Sequence, residues 1–268
     1  KEMQARRTRL PLSAVAAAAL AAACGGGSGG DMGSSGTAAS SGAVSSKTVL
    51  PDVFALEPKL SREPMNDIMT GELLPIIDRL FDLVRAQGLD TELQGVKVFA
   101  PNSGDKFLPG KVAIGFSYLL LNSSPSDPKY QTYLDGYRAI ADMTIDVVNE
   151  TWGIYYYTSA LWKLKKAGYL DGPTPAVNPA TLELLKTKLD WRIFVDQANN
   201  YALKNGLPTN YYGVAFSIAR LRYLLGWEDA SGSEALLQKM INHYKTFSAY
   251  GFSDETDGSG RFDRYSIL

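Results

Sequence analysis

From Pro64 onward, apolar residues recur at the spacing of a helix with one buried face. Met65, Ile68, Met69, Leu73, Leu74, Ile76, Ile77, Leu80, Phe81 and Val84 predict an amphipathic helix through Arg85, with Gly88 as its stop. Residues 89 to 110 read as loop, with short strand character at Val96 to Phe99. Val112 to Leu121 is a short apolar run, and Asn122 to Pro128 is a turn-rich break. Tyr130 to Asn149 predicts a further helix, with Tyr133, Leu134, Tyr137, Ile140, Ala141, Ile145 and Val148 on one face. Trp152 to Ala167 predicts another, closed by Gly168. Asn178-Pro179 caps a helix reaching about Leu189. More helices are predicted at Asp190 to Leu203, at Tyr211 to Leu225, and at Glu234 to Phe247 with Ser233 as cap. Serial helices, short connections and few strand signals predict an all-α domain of antiparallel neighbours.

The pattern ahead of this region is different. Arg6, Arg7 and Arg9 precede the apolar run Leu10 to Ala23, the order of a secretory signal. That run is too short for a comfortable membrane span. It ends Leu20-Ala21-Ala22-Ala23-Cys24-Gly25, which looks like a bacterial lipobox, whose Cys becomes the lipidated first residue. The large apolar residue of a lipobox stands three before the Cys, whereas Leu20 stands four before Cys24. Plain cleavage after Ala-x-Ala, releasing a secreted protein, is the alternative. Gly25 to Lys47 is almost all Gly, Ser and Ala, too little apolar surface to offset the entropy of ordering, so a flexible tether is expected. Pro51 to Pro64 reads as extended coil. The expected organisation is a signal over 1–24 with Cys24 at its end, a tether over 25–47 and a helical domain over 48–268. The chain stops inside an apolar run, so the domain is expected to be truncated at its C-terminus.

Composition removes several function classes. The net charge is -1, so bulk electrostatics gives no reason to expect a nucleic-acid partner. A single Cys excludes an internal disulfide, and a single His excludes a multi-His metal centre and weakens a Ser-His-Asp proposal. No P-loop, dinucleotide fingerprint, nucleophile elbow or zinc motif is present, and no cofactor is expected.

Two stretches concentrate candidate chemistry. Gly206-Leu207-Pro208-Thr209-Asn210-Tyr211-Tyr212-Gly213 opens a helix, and the segment Gly251 to Ser266 gathers Gly, Asp, Arg and Tyr in one turn. Asn210 can cap its helix, or its amide and the helix start can bind a carboxylate. Tyr265 is either a half-buried ring or a proton-transfer group whose phenolate Arg261 and Arg264 favour. Asp254, Glu255, Asp257 and Asp263 fail the EF-hand spacing, and no metal is expected. Asp257 and Asp263 could form a carboxylate pair for glycoside hydrolysis. His243 shares a stripe with Leu236, Met240 and Phe247 and reads as a packed histidine. Trp152, Tyr155, Tyr156, Tyr157 and Trp162 read mostly as core, with one or two facing a cleft where they could stack on sugar rings.

The order of these motifs, a helix-opening Asn, one helix, then Asp257-Gly258-Ser259 before an aromatic segment, resembles the (α/α)-toroid polysaccharide lyases of the chondroitin, glucuronan and alginate type. The resemblance implies that the helical chain is an incomplete toroid of helical hairpins. It implies a lyase acting on uronate-containing acidic polysaccharide by β-elimination. Asn210 would neutralise the uronate carboxylate, and Tyr265 would fall near the base position with Arg264 beside it. Arg261, Tyr211, Tyr212 and Asp257 would hold substrate. Chondroitin-type members carry a His in the region of Tyr265, and this chain departs from them there. The expected protein is therefore a lyase anchored to a bacterial cell envelope through Cys24, touching the membrane only through its lipid. The alternatives are a toroid hydrolase acting on uronyl saccharides through two carboxylates, and a glycan-binding lipoprotein with no chemistry.

Overall fold

The computed structural model describes residues 66–93, 96–97, 105–204, 210–249 and 252–253. Helix accounts for 71% of the interpretable region and strand for 4%, as an all-α domain requires. Helical backbone begins at Asn66, widens into a π-turn at Met69–Leu73 and continues as α1, Leu74–Gln87. Gly88 ends it at φ 74°, a left-handed backbone that costs glycine no Cβ clash. A 3₁₀ turn at Gly88–Asp90 leads into a small antiparallel ladder of β1, Glu92–Leu93, and β2, Val96–Lys97.

The apolar run at 112–121 is the larger part of a helix, α2, Leu108–Leu121. It is buried on most sides, which is why its sequence is too uniformly apolar to show a helical stripe. Helix α3, Tyr130–Thr144, stops five residues short of the predicted Asn149. Its end is tightened by three-residue hydrogen bonds, Ile145 N–H to Asp142 O and Val147 N–H to Thr144 O. Helix α4, Thr151–Lys166, and the left-handed Gly168 that follows it agree with the sequence expectation.

Helix α5 is Pro179–Lys188. Asn178 precedes it, but its amide donates to Asp142 Oδ2 at 2.6 Å, so this side chain ties α5 to α3 and does not cap.

The predicted helix over 190–203 is not formed. Trp191–Phe194 is one 3₁₀ turn, opened by Asp190, whose carboxylate accepts from Arg192 N–H. A hairpin follows, β3, Val195–Asp196, against β4, Ala202–Leu203. Asp196 accepts from Ala198 N–H, and Asn200 and Tyr201 take positive φ to turn the chain. Short Asp and Asn side chains compete here with helical hydrogen bonds and prevail.

Helix α6, Asn210–Leu225, is followed by α7, Ser231–Phe247. Ser233 is not the cap of α7, because its hydroxyl donates to Ala230 O; Asp229 instead takes the Ser231 N–H and hydroxyl. A last ladder pairs β5, Ser248–Ala249, with β6, Phe252–Ser253.

The helices pack in two directions. Helices α2, α4 and α6 run side by side and parallel. Gly110 abuts Gly153 at the starts of α2 and α4, and Lys163 Nζ donates to Tyr118 Oη nearer their ends. A Cβ on Gly110 would stand 2.0 Å from Gly153 O, so this crossing requires glycine. Lys165 Nζ donates to Leu225 O, joining the ends of α4 and α6. Helices α1 and α3 run the opposite way along this layer. Tyr137 Oη donates to Ala113 O, and Phe81 packs edge-on against Phe116 and Tyr133. The core lies between the two directions and includes Phe81, Phe116, Tyr157, Leu161 and Ile218.

The far end of α6 is locked by Arg222. Its guanidinium donates to Glu228 and to the carbonyls of Lys186 and Leu189, the acceptors left over at the end of α5. Glu228 also accepts from Trp191 Nε1 and Arg192, so each buried charge here is matched.

Candidate functional site

Because α2, α4 and α6 are parallel, their N-termini lie at one end of the layer. None of the three carries an acidic residue in its first turn. Unpaired amides and the helix dipole leave such ends partly positive. The acids that flank them are themselves paired, Asp105 with Lys111 at 2.9 Å and Glu150 with Lys106 at 3.4 Å.

A cleft of about 320 Å³ opens at this end. Trp152 and Tyr155 from the first turns of α4 form one wall. Asn210, Gly213, Val214, Phe216 and Ser217 from α6 form another, and Met240 and Tyr244 close it from the last turns of α7. Trp152 meets Tyr155 edge-on and leans over Tyr156, a wall of aromatic surface. No carboxylate is among the described residues that line the cleft.

Asn210 is 6% exposed, and its Oδ1 is buried without a hydrogen-bond partner. The side-chain oxygen therefore does not cap α6, since a cap would accept a backbone N–H of the first turn. A buried acceptor left unmatched costs about 1–3 kcal/mol. Two other buried side-chain atoms among the described residues lack a partner, Asn149 Oδ1 and Thr151 Oγ1. Both sit at the start of α4, next to Trp152, and Thr151 holds a φ of 36°, unusual for a β-branched residue. The unmatched polar atoms thus gather around the helix starts that bound the cleft.

The other sequence candidates fall into three groups. Tyr211 and Tyr212 are next to the cleft but do not line it: Tyr211 packs on Phe194, and Tyr212 stacks on His243 at 4.1 Å between centroids. His243 is buried and also meets Phe247, the packed role expected of it. Of the aromatic run, Trp152 and Tyr155 face the cleft, Tyr156 and Tyr157 are buried, and Trp162 packs against the core. Burial pushes the Tyr157 hydroxyl up to about 12 and holds that of Tyr137 well above its ordinary value, so neither titrates near neutral pH. Cys24, Asp257, Arg261, Arg264 and Tyr265 lie outside the described residues.

Tyr244 and Ser217 join the site without having been singled out by sequence, and Gly213, the last residue of the helix-opening stretch, joins it without having been given a role. Gly213 and Ser217 follow Asn210 at helical spacing, a signal already present in the chain. Tyr244 carries no such signal, because only the return of α7 along α6 brings it there.

No helix of the described residues is long and apolar enough to cross a membrane. No protein-family model, curated protein or solved structure matches the chain.

Proposed function

We propose that the protein is a polysaccharide lyase that cleaves uronate-containing chains by β-elimination, with its substrate site in the cleft at the start of α6. The group that carries this reading is Asn210, a buried amide at a helix start in a cleft with an aromatic wall: its Nδ2–H groups are the donors a carboxylate needs, and its unmatched Oδ1 can accept from a sugar hydroxyl. A hydroxyl of the bound sugar is a donor that would match this oxygen and offset its cost. Removal of the C5 proton of a uronate places charge on its carboxylate, and donors organised there in advance lower the barrier. The amide of Asn210 and the partly positive helix starts are donors of that kind. The C5 proton passes to the phenolate of Tyr265, the electron pair left at C5 forms the C4–C5 double bond as the C4–O4 bond breaks, and O4 leaves with the proton that Tyr265 returns to it. Tyr265, with Arg264 and Arg261 beside it, is the proposed proton-transfer group, with Asp257 proposed to support substrate; Tyr211 and Tyr212 pack on Phe194 and His243 beside the cleft and are not proposed to touch substrate there. Trp152 and Tyr155 suit the C–H face of a sugar ring.

The toroid arrangement of helical hairpins belongs to the same proposal, and the opposed directions of α2, α4, α6 and of α1, α3 support it. Attachment to a bacterial envelope through Cys24 is proposed from the lipobox-like order alone. A glycan-binding role without chemistry is the second reading, favoured by the aromatic wall of the cleft, Trp152 and Tyr155.

The test is to incubate the full chain with glucuronan, alginate and chondroitin and follow the ultraviolet absorbance of a conjugated double bond. Absorbance that grows with time is expected. Retention of polymer on the protein without any product would make it a binding module.

A further inference from the structure

We propose that Gly213 sets the substrate class of the cleft, by keeping open the space that the carboxylate-bearing edge of a uronate ring enters. This rests on the uronate reading above. The glycines of this fold divide by what a Cβ would meet. At Gly110, Gly153, Gly136 and Gly232 it would stand 2.0, 2.0, 2.4 and 2.6 Å from a neighbouring atom, so close packing accounts for each of them. At Gly213 the nearest neighbour is Tyr244 Oη at 3.7 Å, an ordinary contact. Packing therefore does not require glycine at this position.

Neither does the backbone, because Gly213 lies inside α6 with no positive φ. A glycine within a helix is about 1 kcal/mol less favourable than alanine. At Gly213 the fold carries that cost at a position that lines the cleft. Gly213 lies three residues after Asn210, hence on the same side of α6, and both line the cleft. Asn210, Tyr244, Trp152 and Tyr155 line the same cleft, and Tyr244 Oη stands 3.7 Å from the position a Cβ on Gly213 would take. Polar groups in a cleft whose floor has no side chain at this point fit a flat, charged carboxylate beside a ring.

Gly115 provides the internal control. It also lies inside a helix, a Cβ added there would meet nothing within 4 Å, and it does not line the cleft.

The experiment compares the full-length parent with Gly213→Ala and Gly115→Ala. Thermal melting is followed, together with calorimetric titration by glucuronan, alginate and chondroitin oligosaccharides. Gly213→Ala is expected to raise Tm by roughly 2–4 °C and to weaken oligosaccharide binding about tenfold. Gly115→Ala is expected to raise Tm and leave binding as in the parent. A higher Tm for Gly213→Ala with parental affinity overturns the proposal, because the space would then be unused. A lower Tm overturns it too, since glycine would then have a packing role. A parent that binds none of the oligosaccharides removes the uronate reading, and this inference with it.

Discussion

Helix α6 carries a buried polar side chain near each end, and the two are treated in opposite ways. Arg222, 7% exposed, donates to a carboxylate and to two carbonyls that have no other helical partner. Asn210, 6% exposed, leaves its oxygen unmatched. Burial is nearly the same, so burial does not separate the structural group from the one proposed to bind substrate. Hydrogen-bond completeness does: the Arg222 cluster joins α5, the 3₁₀ turn and α6 into one unit, whereas the Asn210 oxygen joins nothing.

The largest expected effect on stability lies at the structural end. Arg222→Ala leaves the carbonyls of Lys186 and Leu189 without donors and leaves Glu228 with only Trp191 and Arg192 as partners. It should lower stability by about 2–4 kcal/mol in chemical denaturation, chiefly from the two unmatched carbonyls. If its stability stays within about 1 kcal/mol of the parent, the value of a surface pair, the contrast between the two ends collapses.

Next comes the other end of the same helix. Asn210→Ala should reduce turnover of a uronate polymer by about 3–4 kcal/mol of barrier, several hundredfold, with no comparable loss in the melt. Equal turnover in parent and variant would return Asn210 to a passive role at the helix start.

Trp152→Ala sharpens the comparison by testing the wall opposite Asn210. Binding of an oligosaccharide should weaken about tenfold, near 1.4 kcal/mol. Calorimetry decides it; parental affinity would show that the aromatic wall is only packing.

The smallest effect is the acid sensitivity of the α7 start. Hydrogen bonds from the Ser231 hydroxyl and backbone N–H hold the Asp229 carboxyl below its ordinary value of 3.8. A carboxyl that is lower in the folded state than in the unfolded contributes fully above the unfolded value. That contribution fades as pH falls below 3.8 through the folded one. Asp229→Ala should therefore flatten the stability profile slightly in that acid window and leave its shape at neutral pH unchanged. Superimposable acid profiles for parent and variant would count against it.

Much of the fold could be read directly. Helices α1, α4 and α6 have a local apolar period and local stops at Gly88, Gly168 and Gly226, and such signals depend only on neighbours in the chain. Three features could not be read. Helix α2 lacks a stripe because it is surrounded, and uniform hydrophobicity does not distinguish helix from strand. The apolar spacing of Trp191, Phe194 and Val195 imitates a helix, yet Asp190, Asp196 and Asn200 turn the chain into a hairpin. Ser233 and Asn178 have good cap chemistry, but nearby partners, Ala230 O and Asp142, engage their side chains first.

The candidate site divides in the same way. The sequence alone placed Asn210 at a helix start and Trp152 and Tyr155 in an aromatic run, because helix starts and residue types are local properties. Only tertiary structure decided that α4 and α6 start at the same end, that α7 returns Tyr244 over Gly213, and that Tyr212 turns away to stack on His243. Those relations depend on packing between segments far apart in the chain. Two tyrosines adjacent in sequence to Asn210 thus lie beside the cleft, while one thirty-four positions away forms part of it.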